Sequence, residues 1–252
     1  MIIKNKFLLY PIFLFFIAFA NCSKKDATPA TGVDKDYTTL GTSAKDLLAS
    51  SIYTSLKVEI QYMPGYKPDA PALNNLVTFL NTYLNKPGGI QVTQKQIAAS
   101  GKTSLTIEEI VNIEKTNRTA FTSGSTMVVN VIIADANYND PNILGIAYFN
   151  TSFCIFGKII NANSGAIGQV SRTKFYTIVF EHEFGHLLGL VDLGSPMQSD
   201  HKDEAHGYHC TNTACLMYYG AENKDFTGMI IAGSIPTPDA NCVADIRANG
   251  GK

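Results

Sequence analysis

One run constrains this chain more than any other: His182-Glu183-Phe184-Gly185-His186-Leu187-Leu188-Gly189-Leu190-Val191-Asp192. On a helix, His182 and His186 project from one face, a turn apart. That spacing suits two ligands of a single zinc ion, and it places Glu183 beside them as a general base. Gly189 stands where a helix can end in a left-handed turn, the conformation that glycine enters at least cost. Beyond it the chain can reverse and bring a third ligand back. The 5 histidines of the chain all fall between positions 182 and 209. A bare HExxH pattern also occurs on the wet face of ordinary helices, so it is the longer pattern that carries the reading.

Downstream, Cys215-Leu216-Met217-Tyr218-Tyr219 supplies a methionine in an apolar segment. With the histidine run it resembles the metzincin clan of zinc metallopeptidases, whose pattern is HExxHxxGxx(H/D) followed by a methionine turn. The resemblance implies an α+β, metzincin-like zincin fold: a twisted mixed sheet, an active-site helix and a small C-terminal subdomain. It implies His182 and His186 as zinc ligands, Glu183 as the catalytic base, and Met217 as the apolar floor under the metal. Met217 would also be a core residue in almost any fold.

The third ligand stays open. Asp192 occupies the clan's third-ligand position, where metzincins resembling snapalysin use Asp. His209 is the rival, because His209 to Met217 looks like the HCx4CxM stretch of archaemetzincins, although their later CxxC pair is missing here. His201 is a further candidate. Tyr219 resembles the tyrosine of astacin-like and serralysin-like enzymes, which implies oxyanion stabilisation; an ordinary half-buried tyrosine fits as well. Gly145-Ile146-Ala147 looks like the substrate-binding edge strand, or else a core strand with a tight spot at Gly145. The acidic stretch from Asp200 to Glu204 reads as a solvated loop, with calcium as the alternative.

The chain has 252 residues, a net charge of −1 and 45% hydrophobic residues, enough for one sizeable core. No basic bias points to nucleic acid, and a monomer is expected. Lys4 and Lys6 precede an apolar run from Phe7 to Ala20 that suits a signal peptide over residues 1–21. Phe19-Ala20-Asn21-Cys22 looks like a lipoprotein cleavage site, and Ser23-Lys24-Lys25-Asp26 resembles lipoproteins of the Bacteroidetes type. This implies lipidation at Cys22 and an extracytoplasmic protein anchored to a bacterial membrane, at the outer membrane or cell surface. Residues 22–50 read as a flexible tether and 51–252 as the catalytic domain. In an oxidising compartment, Cys154, Cys210, Cys215 and Cys242 read as disulfides. A Cys210–Cys215 bridge is favoured, leaving Cys154–Cys242; a second zinc site is the competing reading.

Periodicity places strands at 55–62, 90–92, 127–134, 145–149 and 153–160, and helices at 71–84, 106–121 and 172–190. The expected function is a zinc-dependent endopeptidase that hydrolyses peptide bonds in extended protein or peptide substrates. The alternative is a non-catalytic surface lipoprotein that uses the fold as a binding module. Intact Glu183 favours the enzyme, because a scaffold has no need of the base.

Overall fold

The computed structural model describes residues 35–223 and 234–252. The expected signal peptide, Cys22 and the first part of the expected tether lie outside the described residues. Its elements, in chain order, are α1 (Ala44–Leu48), β1 (Ser55–Tyr62), α2 (Ala70–Tyr83), β2 (Ile90–Gln96), β3 (Ser104–Leu105) and α3 (Ile107–Asn117). There follow β4 (Thr126–Ala134), β5 (Asn137–Tyr138), β6 (Gly145–Phe149), β7 (Ser152–Phe156), α4 (Gly157–Ala162), α5 (Arg172–Leu187), a 3-10 turn (Tyr219–Glu222) and α6 (Ala240–Ala248).

The main sheet runs in the order β2-β1-β4-β7-β6. β1, β2, β4 and β7 pair in parallel, and β6 closes one edge antiparallel to β7. β4 is buried from Met127 to Ala134, as a central strand covered on both faces must be. Helix starts follow local chemistry. Asp69 caps α2, with Pro71 in its first turn, and Thr106 and Glu109 form a capping box on α3. Ser171 caps α5 by accepting from the Lys174 N–H.

α5 packs against α2, β6 and β7. Every residue from Phe175 to Leu187 is buried. A helix buried all round is normally apolar all round. This one carries Glu181, His182, Glu183 and His186 in the interior, a cost that packing alone does not justify.

Several boundaries differ from expectation. Residues 35–50 belong to the fold rather than to a tether: Leu47 and Leu48 are buried, and Asp36 pairs with the buried Arg118 at 3.2 Å. Their polar composition hid a segment held largely by hydrogen bonds, such as those from Asn150 to Lys35 and Ser43. The strand begun at Phe153 stops at Phe156, where the chain turns into α4; apolar residues of a short buried helix read like a strand. α3 and α5 end earlier than periodicity suggested, at Asn117 and Leu187.

Candidate metal centre

His182 and His186 lie a turn apart on α5, their ring centroids 4.9 Å apart. After Leu188 the chain enters the left-handed region at Gly189 (φ 70°), as the motif predicts. A Cβ there would fall 2.7 Å from the Ser195 backbone nitrogen. Val191 and Asp192 also take positive φ, at 55° and 64°. The turn is closed by Ser195, whose N–H donates to Gly189 O at 2.8 Å and whose hydroxyl donates to Leu188 O at 2.6 Å.

This geometry turns Asp192 outward. It is exposed and lies outside the donor cluster, so the expectation of Asp192 as third ligand is not met. The chain travels on and returns with His209. Its ring stacks on His182 at 5.3 Å and meets His186 edge-on at 5.0 Å. The donors of His182, His186, His209 and Glu222 all lie within 4.8 Å of one another. Glu222 had drawn no attention in the sequence. It stands in a stretch with no motif, and only folding brings it to the histidines.

The rings are oriented from behind. His182 Nδ1 meets Leu216 O at 2.8 Å, and His209 Nδ1 meets His206 O at 2.6 Å, leaving each Nε2 to face the cluster. The Nε2 atoms of His182 and His209 are buried without a hydrogen-bond partner, and so are both carboxyl oxygens of Glu183. Orphaned imidazole nitrogens aimed at one point are what a metal site looks like from its donors, so these residues fit a bound cation. Burial pushes His186 down to about 4, which keeps it neutral and able to donate a lone pair. Burial, and then the neighbouring Glu222 carboxylate, raise Glu183 well above the ordinary carboxyl range.

Met217 is fully buried, and a Cβ placed on Gly185 would lie 2.1 Å from its sulfur. Gly185, between the two histidines of α5, is therefore required by close approach. Gly145 is required in the same way: a Cβ there would fall 2.4 Å from Glu183 Oε1. Edge strand β6 thus runs directly past the carboxyl. The Tyr219 ring stacks on that of His206 at 3.7 Å. Asp203, in the acidic loop, is engaged by His206 at 2.6 Å.

The cysteines also depart from expectation. Cys154, Cys210, Cys215 and Cys242 are all free and buried, with neither the Cys210–Cys215 nor the Cys154–Cys242 bridge formed. Cys154 sits on β7. The other three gather around His201: Cys215 and Cys242 sulfurs are 3.6 Å apart, and His201 Nδ1 lies 3.4 Å from Cys210 and 4.0 Å from Cys242. Backbone N–H groups of Met217 and Asp239 donate to Cys215 Sγ. Hydrogen bonds from Cys210 and Cys242 pull the Cys215 thiol well below the ordinary thiol range. On its other side, His201 Nε2 meets Asp245 at 2.8 Å. His201, Cys210, Cys242 and Asp239 thus offer donors within 4.8 Å of one another, a second group, with Cys215 next to Cys242.

The mostly parallel sheet, antiparallel edge strand and buried histidine helix form a mixed α/β fold like that of a solved archaemetzincin. Among solved structures, the chain is similar to an archaemetzincin from Methanopyrus kandleri, with 11% identity, 78% of this chain and 96% of that chain covered, and a TM-score of 0.50. It is also similar to metalloproteinase-II from Bacteroides fragilis, with 14% identity, 80% of this chain and 54% of that chain covered, and a TM-score of 0.45. No protein-family model matches the sequence. No curated protein matches it either.

Proposed function

We propose that this protein is a zinc-dependent endopeptidase. The observation that carries the reading is the convergence of three buried imidazoles, two with orphaned Nε2 atoms, beside a buried carboxyl that has no partner. His182, His186 and His209 would hold the ion. Zinc, when bound, supplies Lewis acidity that activates water and polarises the scissile carbonyl. Glu183 takes the proton from the attacking water and hands it to the leaving amine. Its burial favours the protonated state that the second half of this transfer needs.

Substrate would lie as an added strand along β6, the free edge that passes Glu183. A cavity of about 230 Å³ beside it is lined by Ile146, Ala147, His186, Tyr208, His209 and Glu222. In this reading the chain acts outside the cytoplasm, held to a membrane through lipid at Cys22. Among the described residues, no helix is long and apolar enough to cross a membrane.

Cys210, Cys215, Cys242 and His201 would hold a second zinc with a structural role. Cys210, Cys242, His201 and Asp239 bring donors within 4.8 Å of one another, the Cys215 sulfur lies 3.6 Å from that of Cys242, and Asp245 orients the histidine. It would tie α6 to the segment that carries His209.

The test is cleavage of a mixed peptide library by the zinc-loaded protein, with Glu183→Gln alongside. The variant should keep its metal and lose about 10²–10⁴-fold in rate. Wild type that holds zinc but cleaves nothing would move the reading to the binding module. Metal analysis should find two zinc ions per chain, and Cys242→Ser should remove one of them.

A further inference from the structure

The fourth member of the histidine cluster is not accounted for by catalysis as described. Glu222 Oε2 lies 3.7 Å from both His182 Nε2 and His186 Nε2, and Oε1 lies 3.5 Å from His209 Nε2. Donors around a tetrahedral zinc at ordinary bond lengths are about 3.4 Å apart. The carboxylate therefore stands where a fourth ligand would stand, not merely nearby.

Its placement is built rather than incidental. Glu222 ends the 3-10 turn that follows Met217, and its carbonyl accepts from the Leu144 N–H at 2.8 Å, immediately before β6. Gly220 and Ala221 beside it are buried. Its carboxylate forms ion pairs with all three histidines. A second carboxyl, Glu183, is fully buried and near enough for the Glu222 charge to act on it. A buried and a partly buried carboxyl group beside three imidazoles are mutually compatible when a cation lies among them. The Glu222 side chain is also 23% exposed, so it can swing out toward the cleft without unpacking the core.

We propose that Glu222 is a fourth, displaceable ligand of the His182–His186–His209 centre, so that water and substrate must compete with a carboxylate of the chain itself. The proposal rests on the zinc reading above and extends it. Catalytic zinc sites keep one position open, whereas sites with four protein ligands are closed. With Glu222 in place the resting centre is closed, and it opens when the carboxylate leaves. Glu222 lines the same cavity as His186, His209 and Ile146 and Ala147 of β6, so a peptide bound along that edge lies beside the carboxylate.

The experiment uses the full chain loaded with Co(II), as wild type, Glu222→Gln and Glu222→Ala, and follows azide binding by visible absorption. Metal affinity is read separately by competition with a chromophoric chelator. A competing internal ligand lowers apparent affinity by the fraction of time the site is open, so azide should bind both variants at least about 10-fold more tightly than wild type. Cobalt should bind them about 10-fold or more weakly. Azide affinity unchanged in both variants overturns the proposal, whatever the metal affinity does. Wild type that takes up no metal at the histidines removes the zinc reading and this proposal together. Wild type that takes up metal and cleaves peptide, with azide affinity unchanged in the variants, removes this proposal alone.

Discussion

The imidazoles of His182 and His209 stack with their planes 17° apart, while His186 stands edge-on to both, at 84° and 86°. The stack is fixed from behind by two backbone carbonyls, Leu216 O and His206 O. The third donor therefore comes from the long return of the chain and not from the turn after Gly189. His209→Ala should lose the metal of this centre, and Asp192→Ala should keep it. Metal content and peptide cleavage of the two variants check this, and loss in Asp192→Ala alone would reverse the assignment.

Gly145 and Glu183 touch across the edge strand. Gly145→Ala places a methyl 2.4 Å from the Glu183 carboxyl, so the carboxyl or β6 must shift. A displacement of about 1 Å in a catalytic group costs roughly 10²-fold in rate. The variant should lose activity on that scale while binding metal like wild type. Unchanged kcat/KM would mean that Glu183 does not work from this position.

Removing metal should act on two levels. A chelator mild enough to strip only the histidine centre should abolish cleavage and leave the fold intact. Stripping the cluster of His201, Cys210, Cys215 and Cys242 should lower Tm as well, since metal bound to a structural site is folding free energy. Thiol titration of the unfolded, metal-free protein should find Cys210, Cys215 and Cys242 reactive without reductant. Finding them blocked as disulfides would restore the bridge reading.

Arg118 holds the N-terminal part of the described fold to the sheet. Its guanidinium lies 2.8 Å from Glu114 and 3.2 Å from Asp36, all three side chains buried. Arg118→Met leaves two buried carboxyls without their cation, a loss of about 3–5 kcal/mol at neutral pH. Burial raises both carboxyls above their ordinary values, with Arg118 opposing the rise. A raised folded-state pKa gives stability that is present in acid and lost as pH climbs through it. Without Arg118 the rise is larger, so the deficit should be small near about pH 4 and grow toward neutrality. Urea unfolding at the two pH values measures it, and a deficit independent of pH would contradict this account.

Much of the centre was legible because its parts are local. Two histidines four residues apart share a helix face through the pitch of the helix alone. Gly189 announces a helix end because positive φ is cheap there, and β1, β4 and α2 follow from periodicity. What failed was non-local. Asp192 matches the motif by spacing, but two further residues of positive φ after Gly189 point it to solvent. Cys210 and Cys215 are close in sequence, but the fold sets them among Cys242 and His201.

The sequence by itself determined that two imidazoles and a carboxyl share one helix, that a glycine ends it, and that strands and helices alternate around one core. Those properties depend on dihedral preference and on periods of two and 3.6 residues, which act over a few positions. Only the tertiary structure decided which distant residues complete the two donor groups. His209, Glu222 and the gathering of cysteines on His201 depend on how loops of no fixed period close against α5, and that is set by packing and by buried hydrogen bonds such as Leu144 N–H to Glu222 O.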